Sequence, residues 1–260
     1  MYGRRDMGEY PPLGAQLIVF SQQVDVEESI ADVLKAVREA GFGAVEIGTG
    51  LCADAPQRLK VALAANGLAV AGMHGGLDQD LDDTLRLMES YDTQDLCISG
   101  LGGWECVEAE SYRRDIEAFN EMGRVCARHG IALHYHNHAY EFASTDEGPR
   151  GMDLILAEMD RDTTDLCVDV AWVQIGGQDP ARFLLDHREQ IGYVHLKDYK
   201  GDRHWVELGT GVVPLTDIME ALKTLDGVRW VVYEQDTSDR EAAESCAISH
   251  KYLADTFGYS

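Results

Sequence analysis

The segment "IALHYHNH" (131–138) decides how this chain folds, because of what precedes it and what it contains. It follows a stretch of helical periodicity over 109–129 that stops at "RHG", and a glycine at this point is typical of a helix end. Within the segment, His134, His136 and His138 occupy alternate positions. On a strand, alternate side chains share one face. The segment therefore predicts a helix followed by a strand that places three imidazoles together.

The same succession of helix and short apolar strand recurs along the whole chain. The helix predicted over 26–42 has apolar residues at the spacing of one buried face, with Asp25 as its N-cap and Gly41 as its C-terminal stop. The predicted strands are 13–20, 43–48, 68–74, 95–100, 131–138, 165–172, 191–198 and 228–236. The further helices are 54–66, 79–91, 109–129, 149–159, 179–188, 215–224 and 240–257.

Eight strands separated by helices predict parallel pairing through right-handed crossovers. Eight such units in a chain of 260 residues predict the α/β class and a single (β/α)8 TIM barrel; a doubly wound sheet with extra strands is the alternative. The six prolines are dispersed and no linker of low complexity interrupts the chain. We therefore expect one domain over 1–260, with 1–12 as an N-terminal extension.

The composition limits the classes of partner. The chain is 45% hydrophobic and 26% charged, as in ordinary globular proteins, and carries a formal charge of −24. This acidity argues against nucleic acid and against anionic membranes, both of which bind clustered Lys and Arg. The sequence has no apolar run long enough to span a bilayer, and its six scattered cysteines include no CxxC pair. Its first residues lack the apolar core of a signal peptide, so we expect none. We expect a cytoplasmic protein with buried free thiols.

Ionisable side chains mark the same end of six of the eight predicted strands. In a TIM barrel, that C-terminal end carries the functional residues. The residues concerned are Glu46, His74, the three histidines of 131–138, Asp169, His195 with Lys197, and Glu234. Taken singly, Asp169 could be a helix cap and His74 a hydrogen-bonded structural residue. Together, several carboxylates at one barrel mouth would repel each other unless a divalent cation neutralised them, which predicts an open catalytic metal site.

Five motifs in a fixed order carry a resemblance to a known family. They are "YHNHAYEF", "CVDVAW", "YVHLKDYKG", "ELGTGVVP" and "VVYEQD", preceded by "LGAQLIVFS" and "GFGAVEIG". Together they resemble the xylose isomerase-like barrel superfamily, in the branch of sugar phosphate isomerases/epimerases that also contains inosose dehydratase. The resemblance extends from about residue 13 to 257 and identifies the superfamily rather than a substrate.

The resemblance implies a divalent metal, with Mn²⁺ as first choice and Mg²⁺, Co²⁺ or Zn²⁺ as alternatives. Its matching positions make Asp169, His195 and Glu234 three ligands. The fourth position departs from the ketose epimerases of the superfamily, in which a Glu stands three residues before an Asn of the fifth strand; here His134 stands there. We assign the fourth ligand to Glu141 of the "HNHxxEF" pattern and keep His136 as its substitute.

The proton-transfer residues are less specified by the resemblance. With Glu141 in a loop, the paired metal-bound glutamates of ketose epimerases are in doubt, so His138 and Glu46 become candidate bases, with His136 as a further candidate. Lys197 could stabilise an enolate oxygen, or form a salt bridge with a ligand carboxylate. His74, Trp104 and Trp172 are expected to line the substrate pocket, and a loop over 199–214 to act as a lid that brings Arg203 and Glu207 to the substrate.

The expected function is a metal-dependent isomerase or epimerase that removes a proton next to the carbonyl of a sugar, keto-sugar or cyclitol. The alternative is a dehydratase of the inosose or 3-keto-sugar type, a carbon–oxygen lyase that uses the same metal site. Phosphorylated substrates are disfavoured because few Lys or Arg residues fall in the strand-end loops. Remoter alternatives are a non-catalytic carbohydrate-binding barrel and a DNA-repair endonuclease. The resemblance also leaves a homo-oligomer open.

Overall fold

The centre of the molecule, in a computed structural model that describes residues 8–259, is a closed barrel of eight parallel strands. The barrel strands are β1 (Leu13–Gln16), β2 (Ala44–Gly48), β3 (Ala69–Gly76), β4 (Asp95–Ser99), β5 (Ala132–His136), β6 (Thr164–Asp169), β7 (Ile191–Leu196) and β10 (Trp230–Tyr233); β8 (Asp198–Lys200) and β9 (His204–Val206) form a separate two-stranded sheet. Going around the barrel, neighbouring strands follow the order β1-β10-β7-β6-β5-β4-β3-β2, which confirms the predicted TIM barrel.

Helices cover the outside of the barrel and bury one face each against the strands. In α2 that face consists of Ile30, Val33, Leu34 and Val37, at the helical spacing expected from the sequence. The helices are α1 (Ile18–Ser21), α2 (Ile30–Ala40), α3 (Pro56–Asn66), α4 (Leu81–Tyr91), α5 (Ala109–Arg128), α6 (Gly151–Glu158), α7 (Val170–Ile175), α8 (Pro180–Asp186), α9 (Leu215–Leu222) and α10 (Ala242–Phe257).

The two ends of α2 test the predicted N-cap and the predicted C-terminal stop of this helix. Gly41 ends the helix with a left-handed φ of 113°, so the predicted stop is confirmed; glycine adopts this φ without a Cβ clash. The start was predicted four residues early, because α2 begins at Ile30 after Ser29. Asp25 accepts a hydrogen bond from the Glu28 amide at 3.0 Å, so it stabilises the turn before the helix instead of capping it.

Two predicted strands stop early and continue as short helices. The strand expected over 13–20 ends at Gln16, and α1 follows with Val19 and Phe20 buried. The strand expected over 165–172 ends at Asp169, whose side chain caps α7 by accepting from the Ala171 and Trp172 amides. Short buried apolar runs look alike in strands and helices. The consequence for the site is that Asp169 lies at the barrel mouth.

The predicted lid over 199–214 is partly ordered secondary structure. Strands β8 and β9 pair antiparallel there, with Tyr199 opposite Trp205. The Asp198 carboxylate fixes the rest of the loop by accepting hydrogen bonds from the amides of Gly209, Gly211 and Val213. The segment 199–214 is therefore a hairpin followed by a loop that hydrogen bonds to Asp198 hold in place.

The barrel interior is filled, which confines any binding pocket to the mouth. Inside the strands lies a small packed cluster of Ala44, Ala71, Cys97, Cys167, Tyr193, Trp230 and Val232, separate from the main core between strands and helices. Packed interior layers are usual for this barrel.

Of the expected N-terminal extension over 1–12, residues 1–7 lie outside the described part of the chain. The remainder packs at the opposite end of the barrel from the mouth, where Tyr10 stacks on Tyr259 and Pro12 accepts a backbone hydrogen bond from Val231. Among residues 8–259, no helix has the length and apolarity needed to cross a membrane.

Candidate metal centre and substrate pocket

A pocket of about 840 Å³ opens at the C-terminal ends of the strands, which is where TIM barrels bind their substrates. Its floor carries polar side chains and its walls carry aromatic ones. Four of the five residues predicted to bind substrate line it: His74, Trp104, Trp172 and Arg203. Of the residues predicted to act in catalysis or metal binding, the lining includes His136, His138 and Glu234.

Four side chains at the pocket floor form one candidate metal site. Ligand atoms of His136, Asp169, His195 and Glu234 all lie within 4.8 Å of one another, and all four residues are buried. They come from four neighbouring barrel strands, β5, β6, β7 and β10. The structure therefore brings together the three ligands expected from matching positions, with His136 beside them.

The donor atoms of this cluster fit a divalent cation. Asp169 Oδ2, His195 Nδ1 and Glu234 Oε2 are buried and make no hydrogen bond of acceptable geometry, although buried polar atoms normally make one. Their charged neighbours are Lys197 for Asp169 Oδ2, and each other for His195 Nδ1 and Glu234 Oε2. His136 uses Nδ1 toward the Cys167 sulfur at 3.7 Å, which leaves Nε2 for an ion. Two carboxylates and two imidazoles are a donor set that suits Mn²⁺, Zn²⁺ and related ions.

The charge balance of the cluster supports the same fit. Lys197 Nζ lies 3.2 Å from Asp169 Oδ2, 2.8 Å from Glu234 Oε1 and 2.9 Å from Asp236 Oδ1. Three carboxylates share this one ammonium, so the site has an excess of negative charge that a divalent cation would reduce. Burial raises the pKa of Asp169 despite the attraction of Lys197, and raises that of Asp236 to about 6.

Asp169 is held rigidly by its neighbours. Its Oδ1 accepts from the amides of Ala171 and Trp172 at 2.9 and 3.0 Å, which occupies that oxygen and turns Oδ2 toward the cluster. The Asn137 side chain bonds both backbone groups of Asp169, accepting from its amide at 3.0 Å and donating to its carbonyl at 3.3 Å. Asn137 thereby ties the end of β6 to the end of β5.

Glu46 stands behind His195 instead of in the pocket. Its two oxygens lie 2.8 Å from His195 Nε2 and 3.2 Å from His74 Nδ1. Burial opposes its ionisation, but the charge and hydrogen bonds of the two imidazoles lower the pKa of Glu46 to about 2. A carboxylate that binds the far nitrogen of a metal-ligating imidazole fixes its tautomer and orientation. The geometry thus favours a positioning role over the predicted role as base.

Glu46→Gln tests this positioning role. We expect the affinity for the divalent ion to fall about 10- to 100-fold, which is the usual effect of losing such a partner, because Gln cannot present a charged acceptor to both imidazoles. Competition with a fluorescent chelator measures the affinity. Glu27→Gln is a matched control, since Glu27 accepts only from the Cys52 amide, away from the cluster. Unchanged affinity in Glu46→Gln would refute the role.

Glu141, the assigned fourth ligand, lies outside the four-residue cluster. It is buried in a short 3₁₀ turn after β5, where it accepts from the Tyr135 hydroxyl at 2.5 Å and from the His138 amide at 2.9 Å. Tyr135 alternates with the inward histidines and packs on Phe119 of α5, so Glu141 faces the helix layer. Burial raises its pKa to about 7, although the hydrogen bond from Tyr135 opposes the shift. The geometry favours the substitute, His136.

Glu141→Gln separates the two assignments. We expect this variant to keep one equivalent of divalent ion per chain, because its amide oxygen can still accept from the His138 amide and no cluster donor is removed. Elemental analysis after gel filtration provides the measurement. Loss of the ion from a folded Glu141→Gln protein, with retention in His136→Gln, would instead support Glu141 as the ligand.

His138 lies just after β5, at the edge of the pocket. Its ring is 4.9 Å from that of His136, 4.7 Å from that of Trp104 and 5.4 Å from that of Trp172. Burial and the positive charge of Lys197 lower its pKa to about 3. The imidazole is therefore neutral at neutral pH, with no hydrogen-bond partner on Nδ1, which leaves it in the form that a general base requires; its low pKa makes it a weak base.

Two other predicted residues lie away from the pocket. Glu207 accepts from the Ser245 hydroxyl at 2.9 Å and pairs with Arg240 at 3.3 Å, so it anchors the loop after β9 to α10. His134 points into the barrel interior, where its Nε2 is 2.9 Å from Asp95 Oδ1. Alternate residues of a strand all point into the barrel, but they lie at different heights along the barrel axis. His134 therefore lies one layer below His136, away from the mouth.

Sequence reasoning missed several residues of the site. Asp236 lines the pocket and shares Lys197 with Glu234, and its position two residues after Glu234 in "VVYEQD" was an available signal. Gln16 and Ser99 also line the pocket, and Ser99 lies 3.4 Å from His74 Nε2. Such uncharged polar residues at strand ends carry no distinctive pattern.

Comparison with known proteins agrees with this architecture. A family model described as "xylose isomerase-like TIM barrel" matches residues 34–253. The chain is 24% identical over 264 residues to an inosose dehydratase of Geobacillus kaustophilus, covering 85% of this chain and 82% of that relative. It is 23% identical over 157 residues to an inosose dehydratase of Halalkalibacterium halodurans, where the match spans 53% of this chain and only about half, 51%, of the relative.

Solved structures share the fold at low identity. A sugar phosphate isomerase/epimerase from Parabacteroides distasonis has a TM-score of 0.82 at 18% identity, covering 97% of this chain and 96% of that one. The 3-keto-D-glucoside 4-epimerase of E. coli has 0.73 at 18%, covering 94% and 99%. A xylose isomerase-like TIM barrel protein from Mycobacterium smegmatis, in complex with magnesium, has 0.74 at 16%, covering 98% of both.

Proposed function

Because this chain belongs to the xylose isomerase-like TIM barrel family, we propose that it is a divalent-metal-dependent enzyme that removes a proton next to the carbonyl of a keto-sugar or cyclitol. One observation carries the proposal. Four buried donor residues, whose ligand atoms lie within 4.8 Å of one another, converge at the floor of a pocket large enough for such a substrate. Relatives named inosose dehydratase support the substrate class.

In this proposal His136, Asp169, His195 and Glu234 hold the ion. A bound divalent cation would supply Lewis-acid polarisation of the substrate carbonyl. His138 takes the proton from the neighbouring carbon with its neutral imidazole. Lys197, kept protonated by its three carboxylates, supplies fixed positive charge beside the site. Glu46 holds the His195 ring in place, and His74 and Trp172 orient the substrate.

The pocket favours elimination of water over the isomerisation that the sequence led us to expect first. His138 lines the pocket as a neutral imidazole, and the proton that it takes can be passed to a departing hydroxyl on the same side of the ring. Elimination therefore needs one such group. The relatives named inosose dehydratase agree with a lyase reaction.

Epimerisation remains a second candidate because of His74. This imidazole lines the same pocket from β3, and its hydrogen bond to Glu46 raises its pKa against the effect of burial. Epimerisation requires a proton donor on the opposite side of the carbon from the base, and a protonated His74 on a different strand could supply it.

Removal of the metal is the direct test. We expect dialysis against a strong chelator to abolish turnover of keto-inositol or 3-keto-glucose substrates and Mn²⁺ to restore it, with Co²⁺, Mg²⁺ and Zn²⁺ compared in parallel. Holoprotein should also unfold at a higher temperature, because an ion that binds only the folded state stabilises it. Full turnover by protein shown to be metal-free would refute the proposal.

The same substrates separate the two reactions. In deuterated water, epimerisation gives an isomer of the substrate in which one carbon-bound hydrogen is replaced by deuterium. Elimination instead gives an enone or its enol, which has lost one water molecule. Mass spectrometry and ultraviolet absorbance distinguish them.

The cytoplasmic location stays part of the proposal; the six cysteines are free thiols, five of them buried, as is usual in a reducing compartment. A homo-oligomer, which the resemblance leaves open, is also still a prediction.

A further inference from the structure

The pocket is divided into a polar half and an apolar half. The polar half is built from β1, β3 and the end of β10, which contribute Gln16, His74, Glu234 and Asp236. The apolar half comes from the segments that follow β4, β5 and β6, which are neighbours in the barrel. Its lining consists mainly of Trp104, Val107, Ala139, Tyr140, Ala143 and Ile175.

The outer edge of the apolar half exposes large hydrophobic side chains. Trp104 is 68% exposed and Val107 is 53% exposed, and both belong to the segment between β4 and α5. That segment is tied to the neighbouring loop, since the Val107 carbonyl accepts from the Asp146 amide at 2.8 Å and the Asp146 carboxylate accepts from the Ala109 amide at 2.9 Å. Exposed apolar surface held in place beside a pocket is typical of a ligand-binding site.

Aromatic rings connect this edge to the candidate base. The Trp104 ring lies 4.7 Å from that of His138 and 5.8 Å from that of Tyr140. On the inner side, the His138 ring lies 5.4 Å from that of Trp172. A group attached to a sugar ring beside His138 would therefore contact aromatic faces outward to Trp104. The charged lining residues near this side are Glu105 and Arg203, the latter with its guanidinium 5.9 Å from the Trp172 ring; the other side chains that would surround such a group are mainly apolar or aromatic.

The size of the pocket also exceeds the needs of one sugar ring. Pockets for drug-sized ligands measure about 300–1,000 Å³, and this one, at about 840 Å³, falls in the upper part of that range. A single ring over the polar floor leaves the apolar half in contact with water.

From this division we propose that the substrate is a keto-glycoside with an aromatic aglycone, bound with its ketone-bearing sugar ring over the polar half and its aglycone between Trp104, Val107 and Tyr140; the glucosides used below are its non-reacting analogues. The position of the sugar ring rests on the proposed function; the apolar subsite rests on the lining alone. A second sugar ring is a poorer occupant, because most of its hydroxyl groups would lose water against the apolar side chains of Val107, Ala139, Ala143 and Ile175.

Binding to the Mn²⁺-loaded protein tests the subsite without requiring turnover. The probes are phenyl and methyl D-glucopyranosides, both anomers of each, and the disaccharide methyl cellobioside, titrated by isothermal calorimetry. We expect the better phenyl anomer to bind at least about tenfold more tightly than its methyl counterpart, since even single apolar groups discriminate by this much in a fitted pocket. The same ratio should fall toward one in Trp104→Ala and decrease in Val107→Ser.

Val212→Ser is the matched control, because Val212 is also 53% exposed but does not line the pocket; its phenyl-to-methyl ratio should equal that of the wild type. Equal affinities for phenyl and methyl glycosides, no binding of either, or tighter binding of methyl cellobioside than of the phenyl glycosides would each overturn the inference. A phenyl preference in a protein that turns over its substrates fully when shown to be metal-free would keep the apolar subsite while the proposed function failed, so the two failures are distinguishable.

Discussion

We expect Asp169→Asn to lose its bound divalent ion and at least about a thousandfold in kcat/KM. The exchange removes the charge of one ligand but keeps an oxygen that can accept from the Ala171 and Trp172 amides, so the cap of α7 is retained. A thousandfold loss corresponds to about 4 kcal/mol, within the several kcal/mol that a Lewis-acid ion contributes to transition-state stabilisation. Elemental analysis and initial rates at saturating Mn²⁺ measure the two effects.

Asp165→Asn provides the matched control on the same strand. Asp165 lies four residues before Asp169 and opposite His134 in register, below the pocket, and burial raises its pKa, so loss of its charge is tolerable there. This control should keep its ion and its rate. Stoichiometric metal and wild-type turnover in Asp169→Asn would remove Asp169 from the metal site.

The second large effect is expected from His138→Ala. Loss of a positioned general base typically costs about 10²- to 10⁴-fold in rate, and we expect this loss in kcat with the metal content unchanged, because the His138 ring is not part of the ligand cluster. The distinction between base and ligand rests on that split between rate and metal content. A His138→Ala protein that has lost its ion would make His138 a ligand instead.

The pH profile supplies an independent test of His138. Its pKa is lowered to about 3 by burial and by Lys197, and a bound cation would lower it further. The neutral, proton-accepting form therefore persists far below the ordinary histidine value of about 6.5, and the acid limb of kcat/KM should lie below pH 5. His204→Ala, at an exposed histidine paired with Asp239, is the control that should leave the profile unchanged. An acid limb near pH 6.5 that is unchanged in Asp236→Asn would contradict the assignment, since Asp236, whose pKa burial raises to about 6, also lines the pocket.

The segment 131–142, which contains the histidines of β5 and then Glu141, shows how much of the site could be predicted from the sequence. The alternation of His134, His136 and His138 predicted inward-facing imidazoles, and the ends of β6, β7 and β10 predicted Asp169, His195 and Glu234. The sequence did not show which residue of this segment belongs to the metal cluster and which does not. Glu141 reads as the natural carboxylate ligand, yet it lies in a 3₁₀ turn that directs it to Tyr135 and away from the pocket.

The sequence by itself determined the barrel, because eight alternations of strand and helix leave few ways to bury so many apolar faces, and it determined the strand ends at which chemistry gathers. Tertiary structure decided which side chains meet. Glu46 and His195 are 149 residues apart and His195 holds both Glu46 and Glu234, and no local pattern encodes such pairings. Height within the barrel, which separates His134 from His136, depends on the register between strands, and register is fixed only when all eight close.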